Sequence, residues 1–135
     1  MKRGRIMENR KINLTEAEWN VMECLWEKNP ATGREIVECL NRQMGWSRST
    51  TLTLLRRLEE KKAVGSESAG TMKMFCPMIT RESAVHQETE DFLQRVYKGS
   101  LGMMISAFTK KQNLTKNEIE ELYAILGELE VNADD

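Results

Sequence analysis

The chain has 135 residues, room for one ordinary domain or two very small ones. It is 40% apolar and 30% charged, enough to build a core behind a polar surface. No apolar run reaches the roughly 18–20 residues that span a bilayer, which excludes a membrane-spanning helix. Its 20 basic and 21 acidic side chains nearly cancel, but they are unevenly placed. Residues 1–75 carry 14 basic against 10 acidic, and residues 76–135 carry 6 against 11. The first half suits a polyanion, and the second suits another task.

Residues 1–13 form a basic tail with Lys2, Arg3, Arg5, Arg10 and Lys11, available to phosphate or simply solvated. No apolar segment follows them, so they are not a secretory signal, and the expected location is cytoplasmic. Thr15 and Glu18 have the spacing of a capping box, with Leu14 and Trp19 as its hydrophobic staple. They predict a helix from Glu16 to Lys28 that buries Val21, Met22, Leu25 and Trp26 and stops at Asn29-Pro30. Thr32 and Glu35 repeat the box. The helix they start turns Ile36, Val37 and Leu40 inward and ends near Met44-Gly45. Ser47 caps a third helix, Arg48 to Lys62, with Thr51, Leu54, Leu55 and Leu58 at a 3.6-residue period.

Residues 63–68 and 71–76 then read as two strands around an Ala69-Gly70 turn. The second alternates Met72, Met74 and Cys76 against Thr71, Lys73 and Phe75 before Pro77 closes it. Three short helices followed by a hairpin is the order of a winged helix-turn-helix.

Met78-Ile79-Thr80 is expected to be a linker. A fourth helix runs from Arg81 to Lys98 with a stripe of Val85, Phe92, Leu93, Val96 and Tyr97. A short apolar helix covers 101–108. A third box, Thr115 with Glu118, opens a last helix carrying Ile119, Leu122, Leu126 and Leu129. The expected organisation is a mainly α chain: tail 1–13, winged-helix DNA-binding domain 14–78, helical dimerisation domain 79–130 and acidic tail 131–135.

The third helix is the candidate reader of DNA. Residues 46–62 hold five basic and two acidic side chains. Ser49, Thr50 and Thr53 sit near the helix start and are not needed for a core. Short hydroxyl side chains there let a helix approach base edges, and arginine binds guanine or phosphate bidentately. The expected DNA-contacting set is Arg48, Ser49, Thr50, Thr53, Arg56, Arg57, Lys61 and, in the wing, Lys73, with Lys62 as a further phosphate contact. The wing is poor in cations: only Lys73 is basic, and Glu67 opposes it.

The second half carries excess apolar surface: Phe92, Leu93, Val96, Tyr97, Leu101, Met104, Ile105 and Phe108, with Ile119, Leu122 and Leu126 on the last helix. About 60 residues of helix bury a modest core alone, so a second copy is the simplest cover. A two-fold dimer sets two reading helices about 34 Å apart and expects a palindromic operator. Packing of these residues within one chain is the alternative.

No chemistry of an enzyme is visible: no paired carboxylates, nucleophile elbow or phosphate loop. His86 is the only histidine and has no ligand-spaced companion, so neither a metal site nor a cofactor is expected. Cys24, Cys39 and Cys76 are odd in number and widely spaced, which does not read as a disulfide framework. Cys24 and Cys39 fall on helical apolar stripes, where a free thiol packs as a small hydrophobe. Two other functions stay open: a winged-helix protein–protein adaptor, and a metal- or redox-responsive regulator using the thiols.

The stretches LTEAEWNVMECLW, WSRSTTLTLLRRLEEKKAV, FLQRVYKGSL and LTKNEIEELYAIL, in that order from Leu14 to Leu129, resemble the penicillinase-repressor family of BlaI-, MecI- and CopY-type winged-helix transcriptional regulators, and the β-lactam branch more than the copper branch. The resemblance implies a repressor that binds its operator as a dimer. Ser49, Thr50, Thr53 and Arg57 match the family's DNA-contact positions. It also implies release through a membrane sensor-protease pathway, with Ala107-Phe108 at the matching cleavage bond. Leu52 stands where the family commonly has Lys or Arg. Ala63 stands where it has a helix-ending Gly, and Ala107 where the β-lactam repressors have Asn. The tail lacks the paired CxC of the copper branch.

Overall fold

The computed structural model describes residues 11–111 and 114–133. The order is α1 (Glu16–Glu27), β1 (Ala31–Thr32), α2 (Gly33–Met44), α3 (Arg48–Glu60), β2 (Val64–Ala69), β3 (Met72–Pro77), α4 (Arg81–Tyr97), α5 (Leu101–Lys111) and α6 (Lys116–Asn132). The chain divides into two compact units, residues 1–89 and 90–135, with α4 running across the division. None of the helices described is long and apolar enough to cross a membrane.

The helix starts follow from local hydrogen bonding. In α1, Glu18 N–H donates to Thr15 Oγ1 at 3.1 Å, and Thr15 N–H donates back to Glu18 Oε1 at 2.8 Å. Thr32 with Glu35 and Thr115 with Glu118 close the same two-way box on α2 and α6, and Ser47 accepts from Thr50 N–H on α3. Each box satisfies two backbone donors that a helix start would leave unpaired. α2 ends where Gly45 turns left-handed, at φ 72°.

The end of α3 differs from expectation. The left-handed residue is Lys62, at φ 67°, and not position 63. Lys62 N–H donates to Glu59 O and Ala63 N–H to Leu58 O, the paired bonds of a Schellman ending. Ala63 follows that turn as a fully buried residue, so a methyl there fills core instead of straining the backbone.

The sheet has three strands, not the two of a lone hairpin. β1 pairs with β3 antiparallel, Ala31 opposite Phe75, and β3 lies between β1 and β2. β1 escaped notice because it is two residues long and its Thr32 also caps α2. Burial along β3 does not alternate: Met72 and Lys73 are exposed at the tip, while Phe75, Cys76 and Pro77 are buried at the base. The wing projects from the body, so depth, not side-chain parity, sets exposure.

The core of the first unit is built from Val21, Met22 and Leu25 of α1, Ile36 and Leu40 of α2, Leu54, Leu55 and Leu58 of α3, and Val64 and Phe75 of the sheet. Residues 79–80, expected as a linker, belong to this unit. Ile79 is buried and accepts a hydrogen bond from Trp26 Nε1 at 2.9 Å, and Ala84 is buried on α4. The first unit therefore extends past residue 78 into α4 because these side chains complete its core. Arg81 ties α4 to α1 through Glu23, with guanidinium–carboxylate distances of 2.9 and 3.0 Å.

The cysteines differ from expectation. Cys24 of α1 and Cys39 of α2 are joined as a disulfide, with Cα atoms 6.8 Å apart. The apolar stripes on which they lie are the two faces that pack together, which brings the sulfurs into reach; spacing along the chain does not report that contact. Cys76 is free and buried.

Thr51 is fully buried in α3, and its hydroxyl has no hydrogen-bond partner. An unsatisfied buried hydroxyl costs free energy that an isosteric methyl does not. Thr51→Val should therefore raise the stability of the first unit by about 1 kcal/mol. A thermal midpoint that falls would show that the hydroxyl is satisfied.

Candidate nucleic-acid interface

α3 is amphipathic in a way that presents one polar face. Thr51, Leu54, Leu55 and Leu58 are buried, while Arg48, Ser49, Thr50, Arg56 and Arg57 are exposed and Thr53 is half-buried. α2, the Gly45–Ser47 turn and α3 form the helix-turn-helix. The turn is held by Asn41 Nδ2 donating to Trp46 O at 3.0 Å. Ser47 Oγ accepts from Thr50 N–H and donates to Thr50 Oγ1 at 3.1 Å, so these hydroxyls are ordered at the helix start.

The arginines Arg48, Arg56 and Arg57 make no ion pair among the described residues. Three exposed guanidinium groups without an internal counter-ion on one helix are positioned for an external anion. Leu52, 37% exposed, borders this face on the side of α2: a Cβ on Gly33 would sit 3.9 Å from its side chain and 3.6 Å from Phe75.

Two expected cations are placed differently. Lys61 turns towards α1, where its ammonium donates to Glu18 Oε1 at 2.5 Å and to Asn13 O at 2.7 Å. Glu18 is 1% exposed, and a buried carboxylate must be paired, so the Lys61 charge is engaged with α1 within the chain. Burial alone would raise the Glu18 carboxyl. The hydrogen bonds from Lys61 and the Thr15 N–H, with the Lys61 charge, outweigh it and leave the group below its usual range. Lys73 lies 3.6 Å from Glu59 and 5.2 Å from the centre of the Phe75 ring, so the wing's one cation is already partly neutralised. Lys62 is exposed. Of the basic tail, Lys2, Arg3, Arg5 and Arg10 lie outside the described residues, and Lys11 is exposed.

The second unit holds the residues expected to dimerise. α6 buries none of its side chains, and Val96, Leu101, Phe108, Ile119 and Leu126 are all more than 40% exposed. Phe92, Tyr97, Met104, Ile105 and Leu122 line an apolar cavity of about 710 Å³ inside this unit, and Leu93 is half-buried. Ala107 and Phe108 border the same cavity, and their peptide bond lies inside α5.

The family model described as Penicillinase repressor matches residues 14–128. The chain belongs to the penicillinase repressor family. It is 30% identical over 120 residues to the methicillin resistance regulatory protein MecI of Mammaliicoccus sciuri, covering 89% of this chain and 98% of MecI. It is 31% identical over 115 residues to the penicillinase repressor of Bacillus licheniformis, covering 85% and 90%. The solution structure of the DNA-binding domain of the repressor BlaI covers 55% of this chain and 92% of its own, at 28% identity and a TM-score of 0.50. The Bacillus licheniformis BlaI monomeric form in complex with the blaP half-operator matches at the same identity and score, over 54% and 90%. The winged-helix architecture of this family member is thus that of a domain solved on DNA.

Proposed function

We propose that this chain is a DNA-binding transcriptional repressor of the penicillinase type, acting as a homodimer on a palindromic operator through α3. The observation that carries the reading is the exposed face of α3, with three arginines that make no ion pair among the described residues beside Ser49, Thr50 and Thr53. Its relatives' names and the half-operator complex support the partner class. Arg48, Arg56 and Arg57 supply phosphate and guanine contacts and dominate affinity, while the hydroxyl residues set sequence choice. Residues 14–78 with the start of α4 form the DNA-binding part, and the remainder of α4 with α5 and α6 forms the dimer.

Arg57→Ala should weaken binding to the operator by about 1–3 kcal/mol and reduce the salt slope by about one counterion. Titration of the chain against its own upstream DNA at several salt concentrations tests this. Salt-insensitive binding, or no binding to any duplex, would favour a protein–protein adaptor.

Release by a sensor-protease pathway is the finer part of the proposal. Cutting Ala107-Phe108 would separate α6, with Ile119, Leu122 and Leu126, from α4. Because the bond is inside a helix, α5 must unwind before a protease can bind it extended.

A further inference from the structure

Cys24 and Cys39 are paired between α1 and α2, yet the bond is not sealed in the core. Cys24 is 7% exposed and Cys39 is half-buried. Both border a surface cavity of about 250 Å³ whose charged walls are Glu27, Lys28, Glu35, Glu38 and Arg42. Cys24 also borders a second cavity, of about 380 Å³, beside Gln43 and Arg81. Small molecules can therefore reach the pair from the surface, whereas Cys76 is buried on β3. We propose that Cys24 and Cys39 are a reversible thiol–disulfide site that exchanges with low-molecular-weight thiols and disulfides, and so clamps or releases α1 and α2. The proposal rests on the packing of those two helices and is independent of the DNA reading.

The chemistry balances without a metal. The thiolate of Cys39, the less buried residue of the pair, attacks one sulfur of a small disulfide R–S–S–R. A mixed disulfide forms on Cys39 and R–S⁻ leaves. Deprotonated Cys24 then attacks the Cys39 sulfur, closing the intramolecular bond and expelling the second R–S⁻. The protein loses two electrons and two protons, and the small disulfide is reduced to two thiols. The closed loop spans 15 positions and includes β1 and the start of α2. Constraining it reduces the freedom of the unfolded chain and favours the unit that presents α3.

The full chain equilibrated with glutathione disulfide, then denatured and alkylated, should show one reactive thiol, and three after dithiothreitol. The thermal midpoint should move upward by about 10 °C on oxidation and return on reduction. Cys76→Ser should keep that shift, and Cys39→Ser should abolish it. Three free thiols at oxidising equilibrium, a persistent mixed disulfide on Cys39, or a bond that forms without moving the midpoint would each overturn the proposal. A bond that dithiothreitol opens only after unfolding would overturn its reversibility. Operator binding measured on both redox forms separates this site from the DNA reading: no binding by either form, with the midpoint shift intact, would leave the clamp standing and remove the repressor.

Discussion

Lys61→Met should lower the unfolding free energy of the first unit by about 2–3 kcal/mol, at or just below the low end of what breaking a buried ion pair costs, because the lysine stem is partly wet. The methionine keeps the stem's packing and removes the charge together with the hydrogen bonds to Glu18 and Asn13 O. Glu18 then remains 1% exposed, with the Thr15 N–H as its remaining neutraliser. Glu18→Gln in the Lys61→Met background should recover much of the loss, since an amide oxygen can still cap Thr15. Denaturant unfolding of the four variants gives the coupling directly. A Lys61→Met chain as stable as the parent, but with a reduced salt slope on DNA, would place Lys61 among the phosphate contacts.

The same pair sets a pH dependence. In the folded parent Glu18 is lowered, so the unfolded chain binds its proton first as pH falls. The stability is therefore fully present above the unfolded value, about 4.3, and is lost as pH falls through the folded value. Glu23, lowered by the hydrogen bond from Arg81, and Glu35, lowered by the Thr32 N–H and then Lys28, act in the same direction. In Lys61→Met the burial of Glu18 is no longer offset by the ammonium. Its carboxyl rises relative to the parent, so the variant's deficit should shrink on acidification. A deficit that grows below pH 4 would contradict this.

Val96→Asp should turn a dimer into a monomer, weakening self-association about a thousandfold, the equivalent of about 4 kcal/mol for a charge buried without a partner. Val96 is 46% exposed in the single chain, so the aspartate costs little there and its effect is specific to the pair. Phe92→Asp, at a side chain 39% exposed, should act alike. Because α6 buries nothing of its own, loss of the partner should also reduce the helix signal of the second unit while the first still unfolds cooperatively. Operator binding should fall with it, since two half-sites are then read independently. Sedimentation at micromolar concentration checks the assembly. A parent chain already monomeric there, or a Val96→Asp chain still dimeric, would remove the dimer and with it the palindrome.

The sequence by itself determined what hydrogen bonds over three or four positions can decide. Thr15, Thr32, Ser47 and Thr115 start their helices where expected, because a cap and its partners lie within one turn of each other. The amphipathic pattern of α3 was legible for the same reason: a helix face repeats on a fixed period, so Arg48, Ser49, Arg56 and Arg57 fall outside once Leu54, Leu55 and Leu58 fall inside. Only the tertiary structure decided which polar groups meet across the fold. Lys61 and Glu18 stand 43 positions apart, Arg81 and Glu23 58, Cys24 and Cys39 15, and β1 acquires its pairing from β3 beyond α2 and α3. Local pattern carries no information on such pairs, since it fixes a side chain's face and not what packs against that face. The exposed face of α3 was therefore legible in the sequence, whereas the pairing of Lys61 with Glu18 and of Lys73 with Glu59 was not, because those carboxylates come within reach only when the chain folds.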